Sequence, residues 1–195
     1  MEILYLISVA SLIIWLFVPF RQYKNAYFLF FLVLVMQDIS GLILYFGFSI
    51  SSNKISIFLS ALKLLLLLNV SLKDFKTYLI LVAALIINII SEEKVMTNYI
   101  LTILYFLSLL VIIGKFFNKL YIKEEFSVYL FVFSVLLLTT TIKYFLIALD
   151  AKTGIISYYL FTFLQIFIGV FFVTNDGSKL NIKLRSIKSK MQGNN

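Results

Sequence analysis

The stretch that decides the fold is Ala26 to Phe48, AYFLFFLVLVMQDISGLILYFGF, an apolar run with Asp38 in its middle. A helix needs about twenty mainly apolar residues to cross the hydrocarbon of a bilayer, and this run has that length. A carboxylate at such depth is costly, so Asp38 is expected to face protein or water rather than lipid and to mark a functional or structural contact. Lys63 and Lys143 raise the same question in two other apolar runs.

Working outward, six further segments have the length and character of spans or come close to it. With the run just quoted, the expected set is 3–20, 26–48, 55–72, 77–91, 99–118, 126–149 and 155–175. The fourth is the shortest, at about fifteen residues between its charged brackets. Short polar breaks separate them, such as Arg21-Gln22-Tyr23-Lys24-Asn25 and Lys123-Glu124-Glu125. Connections this short make successive helices antiparallel neighbours. Residues 3–20 read as the first span rather than a cleavable signal. Glu2 stands where a basic region would, and the run ends in Pro19-Phe20-Arg21 rather than at small residues.

Composition agrees. The chain is 62% hydrophobic with one proline and no cysteine, and its mean hydropathy is +1.04. A soluble domain of 195 residues needs more polar surface than this provides. Lysine supplies fifteen of the seventeen basic residues, a bias that fits an AT-rich bacterial genome. The net charge of +8 is better explained by inner loops rich in lysine than by nucleic-acid binding, which is not expected.

Charge also sets the expected orientation. With the N-terminus outside, the inner segments hold Arg21, Lys24, Lys73, Lys76, Lys115, Lys119, Lys123, Lys179, Lys183, Arg185, Lys188 and Lys190, twelve in all. The outer loops hold three, Lys54, Lys94 and Lys152. That asymmetry predicts an all-α polytopic protein of the bacterial inner membrane: a bundle of seven transmembrane helices, N-terminus out and C-terminus in the cytoplasm. The bundle occupies residues 1–177, and a basic cytoplasmic tail follows over 178–195. Leu180, Leu184, Ile187 and Met191 recur at helical spacing beside Lys179, Lys183 and Lys190. The tail is therefore expected to be a short amphipathic helix lying on the anionic inner leaflet or docking a partner, with Arg185 and Lys188 adding charge.

Within the bundle, Asp38 and Lys63 fall at roughly 15 Å and 12 Å from the same side, on helices joined by a short loop. They are expected to meet as an intramembrane charge pair, either a structural pin or part of a ligand or ion site. Lys143, Thr139 and Gln165, with Tyr158 and Thr162, extend this into a polar pocket opening outward. Asn69 and Asn88 read as interhelical hydrogen-bonding residues. Tyr5, Tyr23, Tyr27, Tyr99 and Tyr121 fall where an interfacial aromatic belt would place them.

The absence of histidine and cysteine removes His-ligated zinc, axial-His haem, Ser–His hydrolysis and thiol chemistry. No phosphate-binding glycine loop occurs. No enzyme activity, metal or cofactor is expected.

Val35-Met36-Gln37-Asp38-Ile39-Ser40-Gly41, the Ser52-Asn53-Lys54 turn and Tyr158-Tyr159-Leu160-Phe161 resemble small stand-alone seven-helix membrane proteins of bacteria and the seven-helix input modules of sensor kinases. The resemblance implies a sensor- or receptor-like module signalling to a separate cytoplasmic partner, since these residues include no kinase domain. Two alternatives stand beside it: a non-catalytic subunit of a larger membrane complex, and a small transporter or channel using Asp38 and Lys63. A faint alignment of spans two and three with six and seven at an offset near 101 fits a three-one-three transporter plan. The proline–glutamine motif of the sugar and lysosomal transporters with that plan is missing, since Pro19 precedes Phe20. A homo-oligomer is compatible with all three readings.

Overall fold

Seven helices follow one another with short connections, as the apolar runs and polar breaks dictate: α1 Glu2–Arg21, α2 Phe28–Phe48, α3 Ser56–Leu67, α4 Phe75–Ile90, α5 Lys94–Ile122, α6 Val128–Ala148 and α7 Gly154–Thr174. Two three-residue strands, β1 Glu125–Ser127 and β2 Asn181–Lys183, accompany them. The computed structural model describes residues 2–48, 55–69, 75–90, 94–149, 154–175 and 181–183. Among them, Val95–Ile122 and Val128–Ala148 are long and apolar enough to cross a membrane by length and composition, and the other helices give shorter apolar segments.

Most helices pack on a chain neighbour, with α3 against α5 and α7 against α1 as the longer-range contacts. α5 lies along α6, α6 along α7, and α7 returns to α1, while α3 sits between α2, α4 and α5. The core is aromatic. Trp15, Phe30, Phe31, Tyr129, Phe133 and Phe172 are buried together, with Phe31–Phe172 and Phe30–Phe133 ring centroids 4.8 and 4.9 Å apart. Such edge-on and tilted pairs each add about 0.5–1.5 kcal/mol beyond the area they bury. Gly169 lets α7 approach α1 closely: a methyl there would lie 2.8 Å from Ile14 Cγ2 and 3.4 Å from the Trp15 indole.

Several details depart from the sequence expectations. α3 ends at Leu67, five residues before the expected limit of 72, through a turn in which Asn69 adopts φ 54°. Asparagine tolerates that left-handed conformation, and here it terminates a helix rather than bonding a neighbour through the bundle. α5 runs for 29 residues and takes in Lys94, Lys115 and Lys119, which the charge pattern assigned to loops. Tyr27 is not at a water-facing belt. It stacks on Tyr129 and meets Phe133 edge-on at 5.2 Å, whereas Tyr23, Tyr99 and Tyr121 are exposed.

The tail differs most. Instead of continuing a helical stripe, Asn181–Lys183 is extended and pairs antiparallel with β1, placing Glu125 opposite Lys183 and Phe126 opposite Ile182. An apolar pair and opposite charges in facing positions favour this register. Lys179, Arg185, Lys188 and Lys190 lie outside the described residues, as do the loop residues Lys54 and Asp150.

Candidate functional site

Among the described residues, three polar groupings stand out within the apolar bundle. The first is at the end where α1 and α7 finish and α6 begins. Gln22, 1% exposed, closes the α1–α2 connection. Its Nε2 donates to the carbonyls of Phe172 at 2.7 Å and Asn175 at 2.8 Å. Its Oε1 accepts from Asn25 Nδ2 at 3.0 Å and from the Tyr129 hydroxyl at 3.1 Å. The last carbonyls of a helix have no partner within it, so one side chain here completes the end of α7. At the same end, Lys115 Nζ on α5 donates to the Leu67 carbonyl at 2.6 Å and lies 5.4 Å from the Tyr27 ring centre. A cation at a helix C-terminus meets both the free carbonyl and the negative end of the dipole.

The second grouping surrounds Lys63, which is 1% exposed. Its ammonium donates to Gln37 Oε1 at 2.6 Å and to the Tyr105 hydroxyl at 2.5 Å, and lies 4.5 Å from the Tyr105 ring centre. The sequence placed Asp38 opposite Lys63, but the hydrogen bond goes to the preceding residue, Gln37. Neighbouring helix positions point about 100° apart. Gln37 therefore turns inward and is buried, while Asp38 stands on the exposed side of α2.

The third grouping joins α6 and α7. Lys143 Nζ donates to Thr162 Oγ1 at 3.1 Å, and Gln165 Nε2 donates to Thr140 Oγ1 at 2.9 Å. Asp38 on α2 interacts electrostatically with Lys143 first and with Lys63 second. Thr139, assigned to this pocket from sequence, bonds back to the Leu136 carbonyl at 2.8 Å within its own helix. The side chain of Tyr158 lies outside the described set.

The second and third groupings touch through aromatic rings. Tyr105 stacks on Tyr144, the residue after Lys143, with centroids 5.3 Å apart and planes 10° from parallel. Gln37 entered the sequence reading only as part of the motif around Asp38, and Tyr105 and Tyr144 did not enter it. A polar residue one place from a charged one carried the available signal at Gln37; nothing distinguished the two tyrosines from the other aromatics.

This arrangement offers hydrogen-bond donors, acceptors and both signs of charge. Among the described residues no cluster of histidine, cysteine, aspartate or glutamate is placed to hold a metal ion. No family model, curated protein or solved structure matches the chain.

Proposed function

We propose that the chain is a multi-pass protein of the bacterial inner membrane with all seven helices in the bilayer, N-terminus outside and C-terminus in the cytoplasm. It works there as a non-enzymatic, receptor-like module. One observation carries this reading: large apolar side chains are exposed on several helices while a few strongly polar ones are buried. Lys63, Gln22 and Gln37 are buried. Leu79, Ile80, Val82, Leu85 and Ile86 on α4, Ile103 and Phe106 on α5, and Leu160, Phe163 and Phe167 on α7 are exposed. Soluble proteins rarely expose so many large apolar side chains, and lipid is the medium that favours it.

The ligand position is the exposed side of Asp38 on α2, with Lys143, Thr162 and Gln165 as further contacts. A group of both charges on three helices suits a small polar or zwitterionic molecule. Ligand occupancy there bears on Lys143, and the adjoining Tyr144–Tyr105 stack leads to Lys63 and α5. The far end of α5 carries β1, against which the tail is paired. This gives a contiguous packed route from the site to the cytoplasmic end.

A second reading, a subunit of a larger membrane assembly, is favoured by α4. That helix packs chiefly on α3 and leaves Tyr78, Leu79 and Val82 uncovered. Native mass spectrometry of gently extracted protein separates the two. A retained small molecule that is lost in Asp38→Asn supports reception. A second polypeptide at fixed stoichiometry, with no such ligand, supports the subunit reading instead.

A further inference from the structure

Lys115 marks the level at which α3 stops. Its ammonium donates to the Leu67 carbonyl at 2.6 Å. Long helical side chains lean toward the N-terminus of their helix, so Leu67 lies level with Lys115 or further from the cytoplasmic end. α3 ends at Leu67, whereas α5 continues past Lys115 to Ile122, roughly 10 Å further.

One face of α5 records this step. Leu101, Ser108, Lys115 and Ile122 stand seven apart and share that face. Leu101 packs with Ile57 and Ala61 of α3. Leu101 and Ser108 are buried, Lys115 is half-buried and Ile122 is 76% exposed. The face that α3 covers along the bundle is therefore uncovered at its cytoplasmic end.

The uncovered stretch is basic. Lys119 and Lys123 follow Lys115 at four-residue steps, on or beside the same face. Lys119 is half-buried and Lys123 exposed. The Leu67 carbonyl takes Lys115, which leaves these two as the cations of the step. Of the adjoining acidic residues, Glu125 stands opposite Lys183 in the β1–β2 pairing. The inner segments hold twelve basic residues against four acidic ones, Asp74, Glu124, Glu125 and Asp176.

We propose that this step holds the headgroup phosphate of an anionic phospholipid of the inner leaflet, with Lys119 and Lys123 as its cations. The inference rests on the membrane orientation proposed above. Charge complementarity calls for an anion, and basic recesses at the cytoplasmic ends of membrane helices suit phospholipid headgroups. The apolar surface at the same level calls for a lipid rather than a soluble phosphate compound: Phe117, Tyr121 and Ile122, on these turns of α5, are all exposed.

The test is native mass spectrometry of the full-length, delipidated protein in detergent, with phosphatidylglycerol and phosphatidylcholine of equal chain length titrated separately. One phosphatidylglycerol per chain should bind at least about tenfold more tightly than phosphatidylcholine, since each lysine near an anionic headgroup contributes roughly fivefold. Lys119→Gln with Lys123→Gln should bring the two lipids level. Lys119→Arg with Lys123→Arg, which keeps both charges, should preserve the preference. So should Arg21→Gln with Lys24→Gln, which removes two charges at the same end of the bundle. Equal retention of both lipids by the unmodified protein would overturn the proposal and leave the membrane reading standing. A loss of preference in the Arg21 and Lys24 variant as large as in the Lys119 and Lys123 variant, the mark of diffuse charge, would also overturn it. Glycerol phosphate binding as tightly as the lipid would do the same. A protein that stays soluble without detergent and takes up neither lipid would remove the membrane reading and the proposal together.

Discussion

Gln22 and Phe172 are 150 positions apart in the chain and are joined by a 2.7 Å hydrogen bond from the Gln22 amide to the Phe172 carbonyl. This contact closes the bundle, because it ties the exit of the first helix to the end of the last. Gln22→Leu would leave buried carbonyls and the Tyr129 hydroxyl without their partner. Each orphaned group costs about 1–3 kcal/mol. Gln22→Leu is expected to lose at least ~2 kcal/mol in denaturant or thermal unfolding. Tyr129→Phe, which removes one of the four bonds, should lose about 1 kcal/mol.

The α1–α7 contact depends on the absence of a side chain at Gly169. Gly169→Val should destabilise the bundle by about 1–3 kcal/mol, because Ile14 and Trp15 occupy the space. Adding Ile14→Ala should recover part of that loss, a coupling that a double-mutant cycle measures. Gly114 on α5 is the control. Nothing lies within 4 Å of a methyl placed there, so Gly114→Ala should be neutral or stabilising by up to about 1 kcal/mol.

If Lys63 is held by Gln37 and Tyr105, its removal and that of Asp38 have different consequences. Lys63→Met should cost about 2–4 kcal/mol, and adding Gln37→Leu should restore part of it by removing the stranded amide. Asp38→Asn should cost less than Lys63→Met, about 1 kcal/mol, because the Lys63 hydrogen bond goes to Gln37. A large loss for Asp38→Asn in an unfolding titration would show that the carboxylate, not Gln37, secures α2 to its neighbours.

Truncation before residue 179 removes β2 and leaves β1 without its partner. The seven helices do not depend on that pairing, so helical content by circular dichroism should match the full chain. The loss in stability should be about 1 kcal/mol, the value of a short cross-strand pairing.

How far the sequence could be read follows from the range of the forces involved. Apolar run length and polar breaks are local signals, and they carry the seven helices. The end of α3 was less legible because Leu68 extends the apolar run; a lysine 48 positions away, Lys115, donates to the Leu67 carbonyl. The β1–β2 pairing overrides a helical stripe in the tail through contacts 50 or more residues distant. Within the site, depth estimates brought Asp38, Lys63, Lys143 and Gln165 into one region but not into particular bonds. Depth is set by counting along a helix, whereas partner choice depends on rotation about its axis. One residue of rotation, about 100°, is the difference between Asp38 and Gln37.

The central claim is that this bundle spans a bilayer with its N-terminus outside. The chain contains no cysteine, so single cysteines introduced at Lys24, Lys54, Lys123 and Lys152 each provide one label position. In intact cells, a membrane-impermeant maleimide should modify Lys54→Cys and Lys152→Cys directly. Lys24→Cys and Lys123→Cys, both at exposed positions, should react only after the membrane is opened. Recovery of the protein in the soluble fraction, or labelling of Lys24→Cys in intact cells, would contradict the account.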